Sequence, residues 1–317
     1  MAVAPPLGRD MRLLGLLVAL AASCSATTYF LTVAGLGGEP EYEQRFSGWA
    51  KDVDKSLKGM GDSNVVTLFA PDSTKARIES ALRDFAGKAK KDDSVVVLLM
   101  GHGTFDGTDY KFNVPGPDLS GTDLAAMLDR IPAGRQLVVN TTSASGGSMA
   151  SLQRPNRVVI CATKSGSEKN ATVFARYWVE ALRDSAADSD KNDTITVLEA
   201  YRYAEQKTNK YYQTQKRLST EHAVLDDTGG HSSAVRDPNP ENGQGLLAAR
   251  FALIRLGSAQ SASKDPAKLK LLARKEELEG AIDKLKYEKA AMRVDEYKSQ
   301  LSALLVELAQ VQEELDK

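Results

Sequence analysis

Two short segments of the chain carry residue types that can do chemistry together. In Gly101-His102-Gly103 a histidine is flanked by glycines, and Ser143-Ala144-Ser145-Gly146-Gly147 is a small-residue turn with hydroxyls. A histidine takes up and returns protons near neutral pH. A hydroxyl on a tight turn becomes a nucleophile when a neighbouring base removes its proton. Glycine lets backbone approach a substrate carbonyl closely and point its N–H groups at the oxyanion that forms there. On chemistry alone, His102 is a candidate base and Ser143 a candidate nucleophile.

The elements that must position these residues are readable on either side of them. Val95 to Met100 precedes the first segment and Leu137 to Val139 the second. Both runs are apolar and rich in β-branched residues, the pattern of buried strands, so both candidates fall at strand carboxyl ends, where open α/β sheets place their sites. The same alternation runs from residue 27 onward, with further strands expected over 29–34, 65–69 and 157–162 and helices over 39–58, 73–90, 120–130 and 168–187. Short apolar strands separated by helices predict an α/β fold, a mostly parallel sheet flanked by helices, over residues 27–257. Within it, 226–245 is rich in Gly, Asp, Asn, Pro and Ser and reads as an exposed loop, and 246–256 is an apolar segment of undecided type.

Residues 265–317 are of a different material. Leu278, Ile282 and Leu285, then Leu301, Leu305, Leu308 and Leu315, form a coiled-coil-type seam among Lys and Glu. A break near 291–295, with Asp295 as helix cap, predicts a helical hairpin suited to packing or self-association.

The 317 residues carry a net charge of −1, which gives no footprint for nucleic acid or anionic lipid. Residues 1–26 have the form of an export signal, with Arg9 and Arg12 followed by the apolar run Leu13 to Ala22. Leu20-Ala-Ala-Ser-Cys24 resembles a bacterial lipoprotein box with its leucine one place too far out. Lipid anchoring at Cys24 and plain cleavage near Ala26 are therefore both open, and the expected location is periplasmic, membrane-tethered or secreted. Cys161, inside an apolar strand, reads as a buried core thiol.

At its two opening segments the chain resembles the caspase–hemoglobinase fold, and in particular the legumain-like (C13) peptidases. There one strand ends in His-Gly and the next in a Cys followed by x-Ser-Gly; here Ser143 stands where the cysteine is expected. The resemblance covers residues 28–225 and implies His102 as general base, Ser143 at the nucleophile position, and the N–H groups of Gly103 and Ser143 as oxyanion donors. It also implies a specificity pocket near Lys164, Ser165 and Glu168. A cysteine thiol is partly ionised at neutral pH, whereas serine needs a base bonded to it throughout attack. The expectation is a pseudo-peptidase that binds a peptide or protein partner. The alternative is a hydrolase using Ser143 with His102 as base.

A second segment, Asp188 to Glu199, resembles an EF-hand calcium loop. Asp188, Asp190, Asn192, Thr194, Thr196 and Glu199 stand where a hard cation needs oxygen ligands, with aliphatic Ile195 inside the loop. The sixth position, usually glycine, is Asp193, and helices are expected over 171–186 and 197–216. Calcium is the cation implied. Thr196-Val-Leu-Glu199 also reads as a helix capping box, which needs no metal. A further polar group, Thr220, Glu221, His222, Asp226, Asp227 and His231, fits no metal template and reads as loop residues.

Overall fold

The computed structural model describes residues 26–58, 63–230 and 234–317. The expected export signal with Cys24, and His231, lie outside the described residues. The chain opens with strand β1 (Thr28–Ala34), helix α1 (Pro40–Leu57), strand β2 (Ser63–Leu68), helix α2 (Lys75–Lys88) and strand β3 (Ser94–Met100). Three short strands, β4 (Gly103–Phe105), β5 (Tyr110–Phe112) and β6 (Leu119–Ser120), lead to α3 (Gly121–Leu128) and β7 (Arg135–Asn140). Then come α4 (Met149–Leu152), β8 (Arg157–Cys161), α5 (Phe174–Ala181), β9 (Thr194–Thr196), α6 (Val197–Thr214) and β10 (Val224–Asp226). The remainder is α7 (Leu246–Ala249), β11 (Ala252–Arg255), α8 (Gly257–Ala262), α9 (Pro266–Glu288) and α10 (Val294–Asp316).

Six strands form one sheet in the order β10-β8-β7-β3-β1-β2, all parallel except β10, which runs antiparallel to β8. The central strand β3 is buried along its whole length because both faces are covered. Val96, Leu98 and Met100 face α1, α5 and α6, packing with Phe46, Trp178 and Leu198. Val95, Val97 and Leu99 face the other way, with Ile78, Phe85 and Leu124 of α2 and α3. This period-2 division explains why the strands read as continuous apolar runs.

Register brings the candidate residues to one edge. Ala34 pairs with Met100, Leu99 with Asn140, and Asn140 with Cys161, so the chain leaves β1, β3, β7 and β8 at nearly one level. Because β10 is antiparallel, its start, Val224, sits beside Cys161, the end of β8. Residues 219–222 therefore join the same edge.

Several sequence expectations need correction. The helix expected over 168–187 is only α5, and the turn after it is a short 3-10 segment where Asp184 accepts from the Ala186 N–H. The stretch 226–245 is not simply an exposed loop: Asp226 and Asp227 are buried, Leu225 bridges Val235, and Asp227 accepts from the N–H groups of Gly245, Leu247 and Ala248. The apolar 246–256 segment contains both a helical turn, α7, and a strand, β11, paired with β9. The hairpin is present as α9 and α10, but Asp295 does not cap it; Arg293 holds the cap position and its guanidinium pairs with Asp295. Leu301, Leu304, Leu308, Val311 and Leu315 lie on the side of α10 that is shielded, whereas Leu305 is 48% exposed. The seam thus follows a 3,4 repeat that leaves Leu305 outside.

Candidate functional site

Ser143 follows β7 in a buried polar turn. Asn140, Thr141, Thr142 and Ser143 are all within 3% of full burial. The Asn140 amide accepts from the hydroxyls of Thr142 (2.8 Å) and Tyr110 (3.2 Å) and donates to Ser148 Oγ (3.0 Å). Ala144 takes a left-handed conformation, φ 55°, which costs a residue bearing a Cβ about 1 kcal/mol. Its N–H donates to the Glu168 carbonyl at 2.8 Å, which holds the turn in that shape.

The Ser143 hydroxyl is committed to backbone. It donates to the Gly103 carbonyl (3.0 Å) and accepts from the Gly103 N–H (3.1 Å). Gly103 is required here: a Cβ would come within 2.6 Å of the Ser143 carbonyl, Thr142 Oγ1 and the Tyr110 ring. The N–H that the resemblance implies as an oxyanion donor therefore points at the serine oxygen itself.

His102 is held elsewhere. Its Nε2–H donates to the Gly37 carbonyl at 3.1 Å, and the ring meets Tyr42 and Phe46 edge-on at centroid distances of 4.9 and 5.3 Å. Burial among these groups lowers its pKa, outweighing the Gly37 bond and the charge of Glu39, so the ring is neutral at pH 7. Among the described residues no hydrogen bond joins His102 to Ser143. The register places both at one sheet edge, and their side-chain bonds run to different neighbours.

The residues expected near a specificity pocket do come together, with an addition. Gly146 packs so tightly on the 164–165 backbone that a Cβ would lie 2.3 Å from the Ser165 N. Ser165 bonds Ser167 through their hydroxyls (2.7 Å). The Glu168 carboxylate accepts from the Lys164 N–H (3.0 Å) and the His222 N–H (3.1 Å), and meets His222 Nδ1 at 2.5 Å. His222 is thus a second histidine at the sheet edge, oriented by a carboxylate. The sequence sets these two residues in separate groups; the antiparallel turn of β10 brings them together across 54 positions.

Two other members of that polar group hold helix starts, Asp227 that of α7 and Glu221 that of α5, whereas Thr220 bonds the Tyr212 hydroxyl and Asp226 closes a turn onto Thr228 and Gly229. Glu221 accepts from the N–H groups of Val173 (2.7 Å) and Phe174 (3.1 Å) at the start of α5 and from the Tyr212 hydroxyl (2.9 Å). Burial drives its pKa up to about 7 despite these donors.

The segment from Asp188 to Glu199 forms a tight turn between α5 and α6. Asp188 accepts from the N–H groups of Asn192 (3.2 Å) and Asp193 (3.2 Å), which closes the turn. Asp193 fills the left-handed position usually given to glycine, φ 65°, and its carboxylate caps α8 by accepting from the Ser258 N–H (3.1 Å) and hydroxyl. That second role accounts for an aspartate at the position. Carboxylate oxygens of Asp188, Asp190 and Glu199 lie within 4.8 Å of one another, and burial together with Glu199 pushes the Asp190 carboxyl up to about 6. Thr196 and Glu199 form the capping box of α6 as well, and Glu199 also accepts from Ser189. Thr194 lies in β9, and Asn192 Oδ1 accepts from its N–H (2.8 Å). A cavity of about 320 Å³ separates this loop from α9.

A family model of the caspase domain matches residues 43–128, a span that includes His102 and stops before Ser143. No curated protein sequence matches the chain significantly. Among solved structures, the chain is similar to a Geobacter sulfurreducens structural-genomics target (12% identity, 68% of this chain and 96% of that chain covered, TM-score 0.44). It is similar also to the Drosophila initiator caspase Dronc (12%, 64% and 80%, 0.41) and to caspase-1 from Spodoptera frugiperda (13%, 64% and 87%, 0.42). The caspase-domain match and the mostly parallel, doubly covered sheet give the chain a caspase-like α/β fold with a helical C-terminal region.

Proposed function

We propose that this chain is a pseudo-peptidase: a caspase-fold binding or scaffolding protein, exported by its N-terminal segment, that engages a peptide or protein partner without cleaving it. The observation that carries the reading is the closed bonding of Ser143 to Gly103 in both directions. For Ser143 to attack, its oxygen must leave Gly103 and find a base, and His102 must leave Gly37. Hydrolysis also needs free donors for the oxyanion, and the Gly103 N–H is already taken. Within the caspase-like fold, the Ser-Ala-Ser-Gly turn is closest in pattern to the legumain-like motif.

Fluorophosphonate labelling of the wild type and of Ser143→Ala tests this directly. No Ser143-dependent labelling is expected; labelling lost in the alanine variant overturns the proposal. Ser143→Cys, offered peptides with Asn, Asp or Arg before the scissile bond, reports whether the rest of a cysteine-peptidase site survives.

The loop from Asp188 to Glu199 supports a second part of the reading, a structural calcium site held by Asp188, Asp190, Asn192, the Thr194 carbonyl, Thr196 and Glu199. Bound there, the cation would neutralise carboxylates that now face one another and would tie α6 to the preceding turn. A native-state ligand stabilises by mass action. Millimolar Ca²⁺ is expected to raise the Tm of the wild type by several degrees and to leave Glu199→Gln unchanged; an unmoved wild-type Tm removes the calcium assignment.

A further inference from the structure

The helical hairpin uses only one side of α10. Leu301, Leu304, Leu308, Val311 and Leu315 form the shielded side, and Arg274 and Lys268 of α9 tie the two helices by bonding Glu307 (2.5 Å) and the Leu315 carbonyl (2.9 Å). The opposite face presents Lys298, Ser302, Leu305, Val306, Ala309 and Glu313, all exposed, with Leu305 48% and Val306 58% accessible. Two adjacent large aliphatics flanked by small residues make an apolar stripe at helical spacing.

This stripe is complementary to itself in one orientation. Turned end for end about a point between 305 and 306, Leu305 meets Val306, Ser302 meets Ala309, and Lys298 meets Glu313. Among the described residues Lys298 has no ion-pair partner within its own chain, so its charge is available to that contact. Small residues opposite one another let the helix axes approach, and the two aliphatics fill the centre. A parallel pairing instead sets Lys298 against Lys298 and Glu313 against Glu313, which repel. The like-signed pair in the antiparallel arrangement, Asp295 with Asp316, falls at the helix ends, where Asp295 already holds Arg293.

We propose that a second copy of this chain docks on that face, α10 against α10 in antiparallel register, so that two hairpins form a four-helix bundle. A 23-residue helix is about 35 Å long. Interfaces below about 1,200 Å² are weak ones, and a contact confined to one face of one helix per copy is of that kind, so dimer is expected only at high protein concentration. Each α9 keeps its own α/β domain along its outer side, so the dimer gives a binding protein two copies of its partner surface.

Sedimentation velocity of the full chain over a range of concentrations tests the proposal. A monomer–dimer equilibrium is expected for the wild type, and a monomer with an unchanged circular dichroism spectrum for Leu305→Glu combined with Val306→Glu. Lys298→Glu is expected to weaken the dimer about tenfold, and Lys298→Glu with Glu313→Lys to restore it, because only the antiparallel register swaps one attraction for another. Mixed Ser302→Cys and Ala309→Cys chains are expected to form a 302–309 disulfide between copies. A wild type that stays monomeric throughout, a dimer indifferent to the Leu305 and Val306 changes, or a 302–302 disulfide in Ser302→Cys alone each overturns the proposal.

Discussion

Ser143 illustrates how the bonds a side chain makes limit the work it can do. Its oxygen closes a buried two-way bond with Gly103. Ser143→Ala leaves the Gly103 N–H and carbonyl without that partner in a buried site. Urea unfolding is expected to show a loss of about 1–3 kcal/mol. A serine held only for catalysis gives the opposite sign, because removing a strained catalytic group usually stabilises. Both segments were legible from residue type, since His-Gly and Ser-x-Ser-Gly on strand ends are local patterns. Which group each side chain bonds was not, because Gly37, Tyr42 and Phe46 reach His102 only through the packing of α1 and the loop before it.

At the scale of elements, the polar group near 220 shows why spacing alone did not reveal a role. Glu221 reads in sequence as a loop carboxylate, yet it is buried and caps α5, which lies 47 residues earlier in the chain. Its carboxyl holds a proton up to about 7, against an ordinary value of 4.5, so between those pH values only the unfolded chain ionises it. Stability from this group is full below about 4.5 and is lost as pH rises to about 7. Measured by urea midpoints, Glu221→Gln is therefore expected to gain on the wild type over that window, by about 3 kcal/mol at most at ~1.4 kcal/mol per unit. A difference that stays constant with pH contradicts the assignment. The short strands β4, β5, β6, β9 and β10 have no counterpart in the sequence reading for a related reason: two or three residues carry too little periodicity to register.

For the whole molecule, the helical region is part of the fold and not a free appendage. Leu272, Leu278, Ile282 and Leu285 of α9 are buried, Arg255 of β11 pairs with Glu276 (2.8 Å), and Lys275 donates to the Asn192 carbonyl (3.2 Å). Leu278→Asp places a charge where 1% of the residue is exposed, at a cost of about 3 kcal/mol or more. Hydrogen exchange is expected to become fast through 266–316 while the amides of β3 and β7 stay protected. Loss of protection in the central sheet as well makes the hairpin and sheet a single cooperative unit.

By itself the sequence determined the alternation of strands and helices, the strand-end positions of His102 and Ser143, the capping box of Thr196 and Glu199 and the presence of a hairpin. Each is written in short-range periodicity or in the spacing of a few neighbouring residues. Tertiary structure alone decided that Ser143 bonds Gly103 and not His102, that Glu168 takes His222 as partner, and which side of α10 faces out. These depend on parallel register, on one antiparallel edge strand and on helix rotation, which join residues tens of positions apart and leave no local pattern.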